Sequence, residues 1–438
     1  MVDHIEKENF EAIETTDGIL TRNNAVNHEN GVGFWQVDNL DELPFPDYDD
    51  YAELAGDGDW VLLIEGSRGC WWDKCRYCNL NNLWRGYRVK SDRRFAAEVE
   101  YLCKRYRKTA FEALDNVLSP KGIQSFAKAL QDTHMDLWFF YEIRANITPY
   151  EVLALHEAGL VNAQVGIEGL SRSFLKRIRK GTQVIQNLQV MKTLYELGIG
   201  SGSNLIVDYP QSTEEEVEET CLTIRRYAYA YEPLGPKTYY HVPESPIDRE
   251  RDHCPVENIR NEDSYRHAIP DAVLERIELF RKSYDPIGQP VSWSAVSSAV
   301  EWWKKLQGHY SANGKRPMRY FDCQTLLIVE YLRFGKQCPL YLYDLERELY
   351  LYCTKIRSRN KILGKFSGRI GESANRRTED RRLSGKMDLR IHSVSRGGKV
   401  PVTCPGHGCT QRGQAHSTDG PWRGRGSGVV IGFQENEP

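Results

Sequence analysis

The sequence predicts an α/β protein with a parallel sheet, followed by a C-terminal region that is mainly helical. Between residues 61 and 242, six short apolar segments alternate with segments of helical periodicity. This alternation is typical of parallel strands with helices packed outside them. Because parallel crossovers are right-handed, the sheet is expected to be a doubly wound layer or a partial barrel. Beyond residue 265, stretches such as SSAVEWWKKLQGHY carry apolar residues at helical spacing, which predicts the helical region.

Each of the six strands is predicted from a short apolar run. The first, Val61–Glu65, reads VLLIE and stops at Gly66, which favours a strand that is buried on both faces. The other five are expected at Ala110–Leu114, Leu137–Ile143, Asn162–Ile167, Ser203–Val207 and Lys237–Val242.

The predicted helices are marked by residues that cap their ends. Thr148, Pro149 and Glu151 supply an N-cap, a proline at the first helical position and a glutamate at N3. Gly159 is expected to end this helix. Further helices are predicted after Ser91, from Thr182 to Leu197 before Gly198, and after Ser212.

Composition and charge favour a soluble globular protein. The chain has 438 residues, of which 40% are apolar and 27% charged, and its net charge is −3. That charge gives no reason to expect nucleic acid or a membrane as a partner, and no apolar run approaches the roughly 20 residues of a membrane-spanning helix. The acidic N-terminus lacks a secretory signal, so the 11 cysteines are expected in a reducing compartment. The protein is therefore predicted to be cytoplasmic.

Four regions are expected along the chain. Residues 1–60 are polar and punctuated by proline, as in a linker or the remnant of a preceding domain. Residues 61–250 hold the sheet, and residues 251–363 form the mainly helical region. Residues 364–438 are rich in glycine and basic residues without apolar periodicity, which predicts a disordered tail or the product of a shifted reading frame.

Three cysteines stand close together after the first strand. Cys70, Cys75 and Cys78 are spaced C-x4-C-x2-C in a loop at the C-terminal edge of the strands, where active sites of parallel folds collect. Three thiolates on one loop can bind an iron–sulfur cluster and leave one iron open. A zinc site usually needs four protein ligands, and no fourth Cys or His stands at finger spacing. Zinc with a distant fourth ligand and cysteines that only pack are the alternatives.

This motif, with an aromatic residue before the third cysteine and a predicted partial (β/α)6 barrel around it, resembles the radical S-adenosylmethionine (radical SAM) superfamily. The first interval is one residue longer than the family's common C-x3-C-x2-C. The segments SRGCWW, CNLN, YRVKS and the upstream LDELPFPDYDDY are similar to the cobalamin-linked branch, nearest to the maturases of ribosomally made peptides. The resemblance covers roughly residues 39–246.

The resemblance implies a [4Fe-4S] cluster on Cys70, Cys75 and Cys78, with S-adenosylmethionine on the open iron. An electron from such a cluster cleaves the sulfonium C–S bond and gives a 5′-deoxyadenosyl radical. Cofactor contacts are implied for Tyr77, Asp115, Glu142, Arg144, Glu168, Ser171 and Asn204.

Several of these residues have a structural alternative. Tyr77 is otherwise a core aromatic, and Asp115 and Ser171 are otherwise helix caps. Glu142 and Arg144 leave the apolar strand WFFYEI, where an unpaired charge is costly. These two residues are therefore expected to bind a ligand or to pair with each other.

Two further segments show how far the family pattern extends. Arg179-Lys180-Gly181 follows the fourth strand as it does in relatives. The family's fifth-strand pattern N-x-I-x-G-x-P-G-E falls on Asn204 to Ser212, where Asp208 and Gln211 replace glycines. The sequence therefore departs from the family at positions where glycine permits a close backbone approach.

The expected function is that of a radical SAM enzyme, of transferase or oxidoreductase type. The resemblance implies C-methylation or another C–H modification of a ribosomal peptide or a small metabolite, with a reductant such as ferredoxin or flavodoxin. Cobalamin is a further cofactor of this branch, but residues 1–60 lack its D-x-H-x-x-G signature, so its binding domain is expected to be absent. The alternative is a non-catalytic iron–sulfur or zinc-binding module.

Overall fold

The structure is a computed structural model of the chain. It describes residues 10–16, 19, 21, 23, 36–56, 58–250, 254, 256–333 and 336–369. The chain divides into two compact units, one of residues 1–226 with 233–301 and the other of residues 227–232 with 302–438. Within the described residues, no helix combines the length and the apolar character needed to cross a membrane. Most of the predicted tail, from residue 370 onward, lies outside the described residues.

The first unit is built on a parallel sheet. Its strands are β1 (Leu62–Ile64), β2 (Ser67–Arg68), β3 (Arg88–Val89), β4 (Ala110–Ala113), β5 (Trp138–Arg144), β6 (Leu160–Gly166), β7 (Gly200–Ser201), β8 (Asn204–Val207) and β9 (Gly235–Thr238). The five-stranded sheet has the order β1-β4-β5-β6-β7, with every neighbouring pair parallel, while β2 and β3 form a short antiparallel pair. Strands β8 and β9 form a separate parallel pair.

One backbone bridge continues the wall from β6 to β8. Glu168, just after β6, pairs with Leu205 of β8, and its amide donates to the Asn204 carbonyl at 3.1 Å. The wall therefore runs through six parallel strand positions, with β1 at one end and β9 at the other. This arrangement confirms the predicted partial (β/α)6 barrel.

Helices follow the strands as predicted. They are α1 (Phe10–Glu14), α2 (Asp49–Ala55), α3 (Leu80–Leu83), α4 (Asp92–Tyr106), α5 (Ile123–Gln131), α6 (Pro149–Glu157), α7 (Arg172–Arg177), α8 (Val184–Leu197), α9 (Glu214–Arg226) and α10 (Pro246–Arg249). Ser91 caps α4, Thr148 and Glu151 form the capping box of α6, and Gly198 ends α8 in the left-handed conformation. The predicted cap at Ser212 is wrong by one residue, because the Thr213 hydroxyl accepts from the Glu216 amide.

Aromatic side chains fill the space between the sheet and its helices. Phe95 of α4 is 1% exposed, and its ring lies 5.1–6.5 Å from those of Phe126, Phe139 and Tyr141. Fully burying one such side chain contributes roughly 1.5–3 kcal/mol. This packing fixes the strands, and so fixes the positions of the loops that leave their C-terminal ends.

The rest of the described chain is not mainly helical, which corrects the prediction for residues 251–363. The first unit continues with β10 (Val256–Asn261), α11 (Asp271–Leu274) and β11 (Lys282–Pro286), and α12 (Ser294–Ala312) follows. The second unit contains an antiparallel sheet of β12 (Arg319–Asp322), β13 (Leu326–Arg333) and β14 (Lys336–Tyr343), followed by α13 (Asp344–Tyr352). Residues 359–369 are helical, so the first residues of the predicted tail are ordered.

Two physical reasons explain this difference. The stripe DAVLERIELFRKSY stops being helical after Leu274, and Ile277 and Phe280 on it are exposed, so little apolar packing supports a longer helix. In β13, the β-branched and aromatic run LLIVEYLR buries alternate residues, Leu327 and Val329, against the second unit's own core. The compact units also divide near residue 301, later than the expected boundary at residue 250.

Candidate functional site

The three predicted metal ligands share one loop that leaves the end of the first barrel strand. Cys70, Cys75 and Cys78 are free, half-buried thiols. The pKa of Cys78 is raised to about 11, chiefly by burial and also by the neighbouring Cys75 and Cys70. Cys75 and Cys70 are therefore close enough to Cys78 to influence its charge.

Protein contacts hold the first half of this loop. The Asn81 side chain accepts from the Cys70 amide at 2.6 Å and donates to the Cys70 carbonyl at 2.7 Å. Gly69 has a φ of +85°, and a Cβ there would lie 2.4 Å from the Gly86 carbonyl oxygen. Only glycine fits this position without a shift of the backbone. The loop is thus shaped by the protein before any metal is considered.

Two tryptophans anchor the longer interval between the first and second cysteines. The Trp71 indole N–H donates to the Leu118 carbonyl at 3.3 Å, and that of Trp72 donates to the Arg179 carbonyl at 2.9 Å. Gly181, at φ +74°, leaves room for the Trp72 ring, since a Cβ there would lie 2.0 Å from a ring carbon. These contacts join the cysteine loop to the segment after β4 and to the turn after α7.

A buried lysine stands at the centre of the site. The Lys180 Nζ lies 3.2 Å from both Glu168 Oε1 and the Tyr77 hydroxyl, and the Lys180 side chain is 6% exposed. Its charge also lowers the pKa of Cys78. Burial raises the pKa of Tyr77 well above its ordinary value, and Glu168 and the cysteines raise it further. Lys180 is not among the cofactor ligands that the resemblance implies, and the only sequence signal for it is the segment Arg179-Lys180-Gly181.

Glu142 lies near Glu168 and Lys180 and is unpaired among the described residues. In the described chain its carboxyl makes no hydrogen bond or ion pair, so the expected pairing with Arg144 is not formed. The pKa of Glu142 is raised to about 7, chiefly by burial and also by the Glu168 carboxylate, with Lys180 acting in the opposite direction. The site therefore holds a carboxyl group that can change its protonation near neutral pH.

Arg144 instead faces the two tryptophans of the loop. Its guanidinium carbon lies 5.3 Å from the Trp71 ring and 4.9 Å from the Trp72 ring, and it donates to the Lys180 carbonyl. Its Nε is buried without a partner. Cation–π contact of this kind stabilises the tryptophans and the guanidinium together, so Arg144 supports the loop from the end of β5.

Two predicted cofactor ligands are occupied by protein contacts. Asp115 is 3% exposed, and its carboxylate accepts from the Gly66 amide at 2.8 Å and from the Ser67 hydroxyl at 2.5 Å. Ser171 is fully buried and caps α7, as its alternative stated, and it also donates to Glu219 at 2.7 Å. Both side chains thus have protein partners, and their predicted cofactor contacts stay predictions. Asp115 is not a helix cap, because it joins the end of β4 to the chain just after β1.

The remaining predicted ligand, Asn204, begins β8. Its carbonyl accepts from Glu168, while its side chain is half-buried without a hydrogen-bond partner in the described chain. Farther along, Asp208 and Gln211, which replace family glycines, have φ values of +55° and +69°. The backbone thus adopts the left-handed conformation at both positions despite the side chains, at a cost of roughly 1–2 kcal/mol each.

The donor set of three thiols fits an iron–sulfur cluster in which one iron stays open. Among the described residues, no three His, Cys, Asp or Glu side chains converge as one ion would require. Zinc would need four ligands at about 2.0–2.3 Å, whereas a cluster takes each thiolate on a different iron. Cys70, Cys75 and Cys78 supply three such positions, with Tyr77 and two tryptophans beside them.

Comparison with known proteins identifies the domain. The family model described as the Radical SAM superfamily matches residues 64–224. An uncharacterized methyltransferase from Pyrococcus horikoshii is 28% identical over 193 residues, which are 42% of this chain and 41% of that protein. The anaerobic magnesium-protoporphyrin IX monomethyl ester cyclase of Synechocystis sp. is 26% identical over 216 residues, covering 45% of this chain and 43% of the cyclase. The chain thus spans less than half the length of these curated relatives.

A solved structure is also similar to this chain. It is the radical S-adenosylmethionine methyltransferase TsrM from Kitasatospora setae, with a TM-score of 0.47 and 16% identity, covering 60% of this chain and 54% of TsrM. The matched segment, residues 64–224, holds the cysteine loop and most of the barrel. The chain therefore contains a radical SAM domain, and the predicted superfamily is confirmed.

Proposed function

We propose that this chain is a radical SAM enzyme that binds a [4Fe-4S] cluster through Cys70, Cys75 and Cys78. One observation carries the proposal: three neighbouring thiols share a barrel edge with a charged set that the protein does not satisfy by itself. Glu142 has no partner in the described chain, and Lys180 lies beside Glu168 and the thiols. A purely structural metal site has no need for an unpaired carboxyl beside it.

Each of the chain's own groups has a definable part in binding. When bound, the cluster supplies the electron that cleaves S-adenosylmethionine reductively. The Lys180 ammonium can pair with a ligand carboxylate, and Glu168 and Glu142 can accept from amino or hydroxyl groups. Tyr77 offers a ring face beside the third cysteine. The tryptophans and Arg144 hold the part of the loop between Cys70 and Cys75.

The reaction is proposed to be C-methylation or another C–H modification of a ribosomal peptide or a small metabolite. One relative is named a methyltransferase and another a cyclase, so the names of the relatives support radical chemistry on carbon without choosing one reaction. A small electron carrier such as ferredoxin or flavodoxin is the proposed reductant, and the cytoplasm is the proposed location. Cobalamin use would require a binding domain beyond the radical SAM domain.

A non-catalytic iron–sulfur module is the second candidate. The observation that favours it is that Asp115 and Ser171 are hydrogen-bonded to protein groups. This leaves two fewer side chains for S-adenosylmethionine than the resemblance implied. Such a module would still assemble a cluster but would not cleave the cofactor.

Anaerobic reconstitution with iron and sulfide separates the two candidates. An active enzyme is expected to show a broad absorption at about 400 nm and to release 5′-deoxyadenosine from S-adenosylmethionine once dithionite is added. A module without activity would show the absorption alone. A chain that binds neither iron nor sulfide would contradict both candidates.

A further inference from the structure

A short segment after the last barrel strand crosses to the cysteine loop. This segment, residues 243–250 and here called the strap, contains α10. Several hydrogen bonds join it to residues 76–82. They run from Asn79 Nδ2 to the Pro243 carbonyl (2.9 Å), Asn82 Nδ2 to the Glu244 carbonyl (3.0 Å), the Ile247 amide to the Arg76 carbonyl (2.9 Å), the Arg249 guanidinium to Asn82 Oδ1 (2.9 Å) and the Arg76 guanidinium to Glu250 Oε2 (2.6 Å).

These bonds bracket the third cysteine. Arg76 lies two residues before Cys78, and Asn79 follows it directly. Asn79 donates to a main-chain carbonyl of the strap, and the Arg76 carbonyl accepts from a main-chain amide of the strap. Both bonds therefore depend on the position of the strap's backbone. The strap therefore restrains the half of the loop that carries Cys75 and Cys78, while the tryptophans restrain the other half.

A buried pair fixes the shape of the strap itself. His241 is fully buried, and its Nε2 donates to Asp248 Oδ1 at 2.7 Å. The other Asp248 oxygen accepts from the Glu244 amide at 2.8 Å, while Ser245 caps α10. The His241 backbone is in turn paired with Lys282 of β11 by two hydrogen bonds of 3.0 Å. The pair thus closes the strap into a turn that is tied to the sheet of β10 and β11.

The position of the strap explains why such a connection is needed. In the described residues β1 pairs in the barrel wall only with β4, and β9 pairs only with β8, so the two ends of the wall share no strand hydrogen bonds. The cysteine loop leaves one end of the wall and the strap leaves the other. Side-chain and main-chain bonds between them replace the missing strand pairing at the C-terminal edge.

We propose that the strap holds Cys75 and Cys78 in the arrangement that binds the cluster, with His241 and Asp248 as positioning residues. The inference rests on the proposed function, because it assumes that these cysteines bind a cluster. The restraint on the loop can be tested without the cluster, however, because removing strap contacts should make residues 76–82 more mobile even without metal. Neither His241 nor Asp248 is expected to touch the cluster or a substrate.

The test uses the full chain and two variants that remove strap contacts at the surface, Asn82→Ala and Arg249→Ala. Amide hydrogen exchange of residues 69–83 is measured without metal, and iron release to a chelator is measured after reconstitution. We expect each rate to rise about tenfold, which corresponds to about 1.4 kcal/mol. Arg249→Lys should restore most of the slow exchange. Arg260→Ala, which removes an exposed arginine paired with Asp285, is the matched control and should change neither rate.

Asp248→Asn tests the positioning pair. We expect it to change the electron paramagnetic resonance signal of the reduced cluster and to speed exchange in residues 76–82, with the secondary structure unchanged by circular dichroism. If Asn82→Ala and Arg249→Ala exchange at the same rates as the unaltered chain, the proposal that the strap restrains the loop is wrong. If the unaltered chain fails to take up iron, the proposed function is wrong, while the metal-free exchange still decides whether the strap restrains the loop.

Discussion

Two sets of polar side chains stand at the same edge of the barrel, and they differ in what already binds them. Asp115 and Ser171 are buried, and their oxygens are occupied by protein groups. Glu142, Glu168 and Lys180 lie around the cysteine loop, where Glu168 and Lys180 pair and Glu142 makes no hydrogen bond within the described chain. All but Lys180 were expected to contact the cofactor.

The difference separates groups that build a site from groups that can be used by it. A buried carboxylate that accepts two hydrogen bonds stabilises the backbone that donates them, and a ligand would have to displace those donors. A buried carboxyl without a partner carries a desolvation cost that a ligand can relieve. A position at the end of a barrel strand is therefore not sufficient for a role in ligand binding. The side chain must also have polar atoms that the protein does not already hydrogen-bond.

The largest expected effect concerns the cysteines. Replacing Cys70, Cys75 or Cys78 by Ala should abolish cluster incorporation, since each supplies one of three protein ligands. Iron and sulfide content after anaerobic reconstitution measures this. Cys103→Ala is the control, because Cys103 is buried on α4 away from the loop and should leave the iron content unchanged. Near-full iron content in all three single variants would rule out the iron–sulfur assignment.

A pair of glycines tests whether the frame of the loop matters as much as its ligands. Gly181 and Gly198 have φ values of +74° and +72°, so alanine costs roughly 1–2 kcal/mol of backbone strain at either position. Only at Gly181 does a Cβ meet another group, the Trp72 ring. We expect Gly181→Ala to speed iron loss to a chelator about tenfold, and Gly198→Ala to lower stability alone. Equal iron retention in both variants would show that Trp72 does not support the loop.

Much of the barrel could be predicted from the sequence, because its strands are short apolar runs and its helices carry explicit caps. All six apolar runs overlap observed strand positions, and the capping box at Thr148 and Glu151 is present. The second unit could not be predicted in this way. In β13 nearly every residue is apolar, so burial of alternate residues is visible only when the neighbouring strands are known.

The candidate site was predictable to a smaller extent. The three cysteines lie within nine residues, so their spacing can be recognised without knowledge of the fold. Whether Asp115 binds a ligand depends instead on Gly66 and Ser67, which are nearly fifty residues away in sequence. Lys180 acquires its position only when the turn after α7 folds back over Gly166. Such contacts are set by tertiary structure, and no pattern within one segment encodes them.

A binding experiment can compare Glu168, from the set around the cysteine loop, with Ser171, from the set bound by protein groups. Glu168→Gln removes the charge beside Lys180, and losing a charged hydrogen-bond partner costs about 1.5–3 kcal/mol. S-adenosylmethionine affinity should therefore fall roughly 10- to 150-fold with the iron content unchanged, as measured by calorimetry on reconstituted protein. Ser171→Ala should leave the affinity unchanged and lower stability by about 1 kcal/mol through loss of the helix cap. The opposite pattern would exchange the roles assigned to these residues.

The last comparison separates two carboxyl groups whose pKa values are raised alike but whose protein contacts differ. Burial raises the pKa of both Asp115 and Glu142 to about 7, but only Asp115 accepts hydrogen bonds from the protein. An acid whose pKa is raised by folding contributes stability below its unfolded pKa, and that contribution is lost as the pH rises through the folded value. For Glu142, the free energy of unfolding should therefore fall between about pH 4.5 and pH 7.

Neutral replacements should reveal the contrast. Glu142→Gln removes a charge that has no partner, so it should raise the free energy of unfolding at pH 8 by about 1–3 kcal/mol and change it less at pH 5. Asp115→Asn should destabilise the chain at both pH values, because the Gly66 amide and the Ser67 hydroxyl share a single weaker acceptor. Urea denaturation of the metal-free chain at the two pH values measures both effects. A Glu142→Gln variant that is less stable than the unaltered chain at pH 8 would mean that this carboxylate has a partner, and Glu142 would then join Asp115 among the groups that build the site.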